Sequence, residues 1–253
     1  MRTTILTLRA CMAALLLTGG IAHAQSVSGI AVRAAPGGES ADAQSGDWRS
    51  YRDVYKLMIA FEKYGKPKQF IQIHYRVVPR DKSYTLDGVD LALRSKSMDL
   101  NLALDAAGRT SFPLLKAAYD DNAELVINRK PNQYDFTAQV SITPRPDGIY
   151  ETGDLRTACD QAIDYLQFVS PSTVRGKKCV GIKFSYPRGN ADSPVKYRDA
   201  QHPAAALPSS ESGAFQGDDA LTFKTITWRF PAGTEHGQIV TQSAPIAIAA
   251  VIE

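Results

Sequence analysis

Apolar and polar residues alternate along residues 98–142, and this is the clearest pattern in the chain. Leu100, Leu102 and Leu104 are spaced by two, and the same spacing returns from Tyr134 to Ile142. A spacing of two places one apolar row on a single face of a β-strand. The pattern therefore predicts an antiparallel sheet with one buried face and one face in water.

The same alternation predicts strands before and after this stretch. In the segment 70–78 (FIQIHYRVV) the odd-numbered residues from 71 to 77 are apolar and are expected to face the core. His74 and Arg76 lie between them and are expected to face outward. All the strands predicted in this way lie at 70–78, 89–93, 100–104, 125–127, 134–142, 180–186, 221–230, 238–241 and 246–252.

Two long segments carry apolar residues at helical spacing instead. The first is 48–62, preceded by Asp47 at the position of an N-cap, and the second runs from Asp154 to Leu166. A helix of about two turns is also expected at 113–119. These elements predict an α+β fold: one domain over residues 47–253, with a mostly antiparallel sheet or sandwich-like core and two long helices packed on it.

The segment 190–219 is rich in Pro, Ala, Ser and Gly and predicts a long loop, which is either functional or merely irregular. An internal repeat is also suggested, because a helix followed by a strand ending in Pro-Arg occurs at both 48–80 and 154–188. Aligning the two Pro-Arg pairs puts the inward positions out of phase by one residue. Because such a shift reverses the faces of a strand, the sequence argues against a repeat.

The first 24 residues have the features of a secretory signal peptide. Arg2 and Arg9 precede a short apolar run, and Ala22-His23-Ala24 forms a small-x-small cleavage site. The apolar run is too short to span a bilayer, which needs roughly 20 residues. We expect cleavage after Ala24, a flexible Ser/Gly/Ala-rich leader at 25–46, and a periplasmic or secreted protein.

After cleavage the chain keeps two cysteines, Cys159 and Cys179. In an exported protein such a pair predicts one disulfide, and two buried thiols are the alternative. Loss of Arg2 and Arg9 leaves 27 basic residues against 26 acidic ones. This nearly neutral balance predicts no nucleic-acid partner.

Motifs for catalysis and cofactor binding are not found in the sequence. The three remaining histidines, His74, His202 and His236, lack a metal-ligand spacing, and the chain contains no HExxH, GxSxG, P-loop or GxGxxG pattern. The cluster Asp120-Asp121-Asn122 is more typical of a turn than of a calcium loop. The sequence therefore predicts no cofactor, metal site or catalytic residue, and it leaves open whether the protein is an enzyme.

Two passages, 63–80 and 165–190, contain several basic residues and no acidic one. If they meet in the fold, they would form a positive face for an envelope protein, an anionic lipid or a glycan. The alternative is a set of solvated side chains balanced by acids on neighbouring strands. The candidate residues are Lys66, Lys68, Arg76, Arg80, Lys177, Lys178, Lys183 and Arg188.

The run 102–128 (LALDAAGRTSFPLLKAAYDDNAELVIN) resembles a family of exported proteobacterial proteins of unknown function. In that pattern a leucine-rich strand leads through Asp-x-x-Gly-Arg to Phe-Pro, then to Asn-Ala and another strand. The resemblance covers about residues 50–190. It implies an exported protein of similar fold, and it supplies no catalytic residue.

These observations favour a non-enzymatic periplasmic module for binding or envelope maintenance, without a transmembrane span. Two other functions remain open from the sequence. One is a hydrolase or transferase whose site is assembled only in the fold. The other is a structural subunit of an envelope assembly.

Overall fold

A computed structural model describes residues 47–189, 194–200, 203–232 and 236–253. The predicted signal peptide, the leader and His202 lie outside these ranges. The described residues form an α+β fold in which every strand pair is antiparallel, which confirms the predicted fold class. No helix in these ranges is both long and apolar enough to cross a membrane.

The first half of the fold contains two small sheets and a long helix. One sheet has the order β1-β6-β3-β4 and the other has the order β5-β2-β7. The elements are β1 (Trp48–Ser50), α1 (Tyr51–Glu62), β2 (Ile71–Pro79), β3 (Leu91–Arg94), β4 (Asp99–Leu102), β5 (Arg109–Thr110), α2 (Lys116–Asp120), β6 (Glu124–Ile127) and β7 (Tyr134–Ile142).

The second half contains the same kinds of elements. Its sheets have the orders β11-β10-β14-β8 and β12-β13-β9-β15. The elements are β8 (Ile149–Glu151), α3 (Thr152–Val169), α4 (Pro171–Val174), β9 (Cys179–Tyr186), β10 (Val195–Asp199), β11 (Ala205–Ala206), β12 (Ser209–Ser212), β13 (Phe223–Arg229), β14 (Gly237–Thr241) and β15 (Ala247–Ile252).

The two halves share one connectivity, so the expectation against an internal repeat was wrong. A short strand leads directly into the long helix in each half, and the order β1-β6-β3-β4 has its counterpart in β8-β14-β10-β11. Likewise β5-β2-β7 corresponds to β13-β9-β15. The Pro-Arg alignment failed because Pro79 is the last residue of β2, whereas Pro187 follows the end of β9. When the buried Tyr75 is aligned with the buried Phe184, the inward-facing positions of β2 and β9 coincide.

Each half buries its own core between its two sheets. In the first half Tyr75 from β2 packs in one cluster with Leu93 from β3 and Leu125 from β6. In the second half Phe184 from β9 clusters with Ile239 from β14. Strands from both sheets contribute to each cluster, so each half is sandwich-like, as expected.

The halves meet where β7 lies beside β15 and where α3 crosses both of these strands. Aromatic side chains join the two long helices there: the ring centroids of Phe61 and Tyr165 are 5.1 Å apart, and those of Tyr64 and Tyr165 are 5.2 Å apart. Both contacts are edge-on, an arrangement that aromatic rings favour. The two helices are 12 and 18 residues long.

The first helix begins later than its pattern predicted. Residues 48–50 form β1, which pairs with β6 between Trp48 and Val126, and α1 starts only at Tyr51. Asp47 therefore does not cap the helix. Its carboxylate accepts hydrogen bonds from the Trp48 amide at 3.0 Å and from the Arg49 guanidinium at 2.9 Å instead.

The disulfide is present, and the segment predicted to be a long loop contains three strands. Cys159 on α3 is bonded to Cys179 at the start of β9, with 5.8 Å between their Cα atoms. The segment 190–219 contains β10, β11 and β12 within its described residues. Its small and polar composition hid these strands, because β11 and most of β12 are exposed and need no apolar alternation.

Candidate functional site

A cavity of about 760 Å³ opens in the second half at the start of α3. Its walls come from the first turn of α3, the end of β10, the start of β14 and one residue of β13. The lining residues are 151–154, Arg156, 198–200, Trp228 and 236–238.

Sheet register brings these distant segments together. Glu151 at the end of β8 lies opposite Gln238 on β14, and Gln238 lies opposite Arg198 on β10. Because β8 runs directly into α3, the first turn of the helix must rise beside these three strand positions. The cavity is thus placed by the order of the sheet.

A row of hydrogen bonds along this sheet fixes one wall of the cavity. The Arg198 Nε donates to Gln238 Oε1 at 2.8 Å, and the Gln238 Nε2 donates to Glu151 Oε1 at 2.5 Å. The Gly237 amide donates to the Thr152 Oγ1 at 3.2 Å. These bonds hold the strand ends in place and leave side chains of both charge signs at the opening.

Aromatic rings pack around Trp228, which lines the cavity. Trp228 is only 7% exposed. The Tyr197 ring stacks on it with centroids 6.2 Å apart, and Phe230 meets it edge-on at 5.2 Å. The guanidinium of Arg156 lies 4.5 Å from the Phe230 ring, a cation–π distance. Trp228 is therefore fixed by its neighbours and shows only a small part of its surface to the cavity, with the Arg156 guanidinium nearby.

The corresponding place in the first half is filled by the segment 111–123, which contains α2. The Tyr51 hydroxyl donates to the Pro113 carbonyl at 2.6 Å and accepts from the Leu115 amide at 2.7 Å. The Arg52 Nε donates to the Tyr119 carbonyl at 2.7 Å. These three hydrogen bonds hold the segment against the start of α1.

Residue size explains why one half is filled and the other is open. Counted from the strand–helix junction, Thr152 corresponds to Tyr51, and Gly153 corresponds to Arg52. The smaller side chains at the start of α3 leave the cavity in the second half.

The eight predicted basic residues do not gather around this cavity. Lys68 donates to the carbonyls of Phe61 and Glu62 at the end of α1, and Arg80 pairs with Asp135 at 2.7 Å. Four others are exposed, and their side chains make no ion pair within the described ranges: Lys66, Lys177, Lys178 and Arg188.

Arg76 was expected to face outward, and the structure corrects this. Its side chain is 1% exposed and forms an ion pair with Asp218, with 2.7 Å between Nη2 and Oδ2. The face of β2 opposite the core is covered by the turn that follows β12, which brings Asp218 and Phe215 onto it. Arg76 is therefore internal and unable to contact a surface partner.

Lys183 lies under the same turn. Its Nζ donates to the Gly213 carbonyl at 2.7 Å. Burial lowers the pKa of Lys183 from its usual range, and the nearby Asp218 carboxylate acts in the opposite direction. Burial also lowers the pKa of His74, and the positive charge of Arg109 adds to that effect. Lys183 on β9 and His74 on β2 are therefore partly buried polar groups.

Sequence reasoning missed the cavity. Its residues come from separate segments of the chain, and two that bond to each other along one wall, Glu151 and Gln238, are 87 positions apart. Thr152 and Gly153 carry no chemistry that a motif search would find. The one usable signal was the repeat itself: a correct alignment would have set the bulky Tyr51-Arg52 beside the small Thr152-Gly153.

Known proteins add no assignment to this geometry. No family model, no curated protein and no solved structure matches the chain.

Proposed function

We propose that the protein is an exported binding module and that the cavity beside α3 is its ligand site. The observation that carries this proposal is the contrast between the halves. The first half fills this place with α2, whereas the second half leaves about 760 Å³ lined by Trp228 and by charged side chains.

The size and the lining of the cavity suit a ligand. Binding sites for small molecules commonly enclose about 300–1,000 Å³ and combine apolar walls with a few oriented polar groups. Trp228 contributes apolar lining, and Arg198 and Glu151 supply a donor and an acceptor that the sheet holds in register. Such groups fix the orientation of a bound molecule.

Export is the second element of the proposal. A disulfide between Cys159 and Cys179 suits an oxidising compartment, since disulfides are rare in the cytosol. The predicted signal peptide at 1–24 and the resemblance to exported proteobacterial proteins point to the periplasm or the exterior. Envelope maintenance would then follow from the binding of an envelope component.

The experiment uses one substitution that fills the cavity. A Cβ added to Gly153 would have no neighbouring heavy atom within 4 Å, so the Gly153→Arg variant is expected to fold and to place a side chain where Arg52 lies in the first half. Gly65 is equally open and lies outside the cavity, so Gly65→Arg is the matched control.

Thermal unfolding is measured with a panel of monosaccharides, disaccharides, amino acids and short peptides. We expect at least one compound to raise the Tm of the native protein and of the Gly65→Arg variant, because a ligand that binds only the folded state stabilises it. The same compound should leave the Tm of Gly153→Arg unchanged. Stabilisation that persists in Gly153→Arg, or no stabilisation by any compound, contradicts the proposal.

A further inference from the structure

We infer that the end of the protein where α1 and α3 finish binds the surface of a membrane that contains anionic lipids. This surface, called here the basic end, consists of the exposed side chains of Phe168 and Val169 together with five exposed basic residues. The basic residues are Lys63, Lys66, Arg175, Lys177 and Lys178.

The apolar stripe of α3 continues beyond the structure that covers it. Ala158, Ala162 and Tyr165 are buried at helical spacing. Phe168 and Val169 follow Tyr165 at positions i+3 and i+4, so they extend this stripe by one turn. They are nevertheless 60% and 44% exposed, and Phe168 is the most exposed large apolar side chain in the described part of the chain. Water therefore contacts apolar side chains that lie in line with the core.

Aromatic contacts bring together the two passages that lack acidic residues. Tyr64 belongs to the passage 63–80, and Phe168 belongs to the passage 165–190. Their ring centroids are 5.2 Å apart, and Tyr64 also meets Tyr165 edge-on. The chain after α3 stays at this end, because α4 begins at Pro171 and packs against α3. Basic residues of both passages therefore lie at the same end as Phe168.

The basic residues at this end are available to an outside partner. All five are exposed, and none forms an ion pair within the described ranges. The acids that directly precede the two passages are Glu62 and Asp164, so five positive charges outnumber two negative ones. Glu253 lies beside Lys178, whose amide donates to its carbonyl at 2.6 Å, but the Glu253 carboxylate is paired with Arg229. An excess of positive charge therefore remains.

The combination of apolar and basic side chains fits a lipid surface better than a protein surface. A stable protein interface buries about 800 Å² on each partner, and two exposed apolar side chains supply only a small part of that area. A bilayer needs no matching shape, because apolar side chains enter the headgroup region while basic ones stay at anionic headgroups. The long lysine side chains can reach such headgroups from the helix ends.

Docking through the basic end leaves the proposed ligand site free. The cavity opens at the first turn of α3, whereas Phe168 lies in its last turn. At about 1.5 Å per residue, the helix separates Gly153 from Phe168 by about 22 Å. Membrane binding and ligand binding therefore use opposite ends of α3 and can be tested separately.

The experiment measures co-sedimentation of the purified protein with lipid vesicles. Vesicles of equal parts phosphatidylcholine and phosphatidylglycerol are compared with vesicles of phosphatidylcholine alone. We expect the protein to bind the anionic vesicles at least tenfold more tightly, and added NaCl should weaken this binding because it screens the charges.

Two pairs of variants separate the two contributions. Each basic residue beside an anionic membrane contributes roughly fivefold to the affinity, so Lys66→Glu/Lys177→Glu should weaken binding at least tenfold. Its control is Lys96→Glu/Lys130→Glu, which makes the same charge change at exposed lysines outside the basic end and should stay within twofold.

The apolar contribution is tested at Phe168. Phe168→Ser should weaken binding at least fivefold, whereas Leu114→Ser, at another exposed apolar residue, should stay within twofold. Far-UV circular dichroism checks that every variant is folded.

Three results would overturn the inference: no binding to anionic vesicles, equal binding to both kinds of vesicle, or variants of the basic end that bind as the native protein does. Binding to soluble polyglutamate that depends on Lys66 and Lys177, without binding to vesicles, would also overturn it and indicate an acidic protein as the partner.

Discussion

Arg76 and Asp218 form a two-point ion pair inside the protein, with both hydrogen bonds 2.7 Å long. The two residues are 142 positions apart and belong to different halves. Their side chains are 1% and 8% exposed. The Arg76 Nε also donates to the Ala107 carbonyl at 2.7 Å, so each nitrogen of the guanidinium has a partner. The pair holds the turn after β12 on the polar face of β2.

Removal of one partner of this pair should strongly destabilise the fold. In Asp218→Ala the buried guanidinium loses its counter-charge, and the expected loss in the free energy of unfolding is about 3–5 kcal/mol. Urea denaturation followed by far-UV circular dichroism measures it.

The double variant Arg76→Met/Asp218→Leu removes both charges and is the control. It should recover most of the stability, because no charge is left unpaired in the interior. If the single and double variants were equally unstable, the packing of the turn rather than the ion pair would hold the halves together.

Gly108 occupies a position that other residues cannot take. Its φ is +76°, and a Cβ there would clash with the Val77 carbonyl. Gly108→Ala should therefore lower the free energy of unfolding by about 1–3 kcal/mol. Gly65→Ala, at an open position with ordinary φ, should change it by less than about 1 kcal/mol. Equal effects in urea titrations of the two variants would contradict this explanation.

His74 should make stability depend on pH. Burial lowers its pKa below the usual 6.5, and Arg109 lowers it further, with Asp105 partly opposing. The unfolded chain therefore binds the proton first as pH falls, so stability is full above about pH 6.5 and decreases toward the folded-state pKa. His74→Gln should show a smaller decrease over this window in urea denaturation. An NMR titration that gives His74 a pKa at or above 6.5 would contradict this explanation.

The disulfide should stabilise the second half by constraining the unfolded chain. The chain-entropy model gives about 3 kcal/mol for a loop of 20 residues. The variant with Cys159→Ala and Cys179→Ala should lose about this amount, measured by urea denaturation without reductant. Mass spectrometry should show no reaction of Cys159 or Cys179 with a thiol reagent under denaturing conditions, and labelling at both of these residues would show that the bond is absent.

Local patterns predicted the elements that have one wet face and one buried face. The sequence predicted β7 and β9 from their alternation and α1 and α3 from their helical spacing. It also predicted the pairing of Cys159 with Cys179. The three-residue strand β1 was not predicted, because a segment this short shows no periodicity and its pairing with β6 is a tertiary contact.

Features that depend on distant partners could not be predicted. Arg76 alternates with apolar residues, so the pattern predicted that it would face water. Its burial is explained by the ion pair with Asp218, which lies far along the chain in the turn after β12. The cavity could not be predicted for the same reason. It exists because the small residues Thr152 and Gly153 lie beside strands that come much later in the chain. Alternation reports one strand at a time and carries no information on what covers its polar face.

The second half is proposed to bind a ligand at the place that α2 fills in the first half. The most direct measurement is a ¹H–¹⁵N NMR titration of the labelled protein with a compound that raises the Tm of the native protein in the thermal-unfolding screen. We expect the largest shifts at the Gly153 and Gly237 amides and at the Trp228 indole, with the Arg52 amide unchanged. Shifts centred on α2, or on the exposed basic residues, with Gly153 and Trp228 unmoved would contradict the proposal.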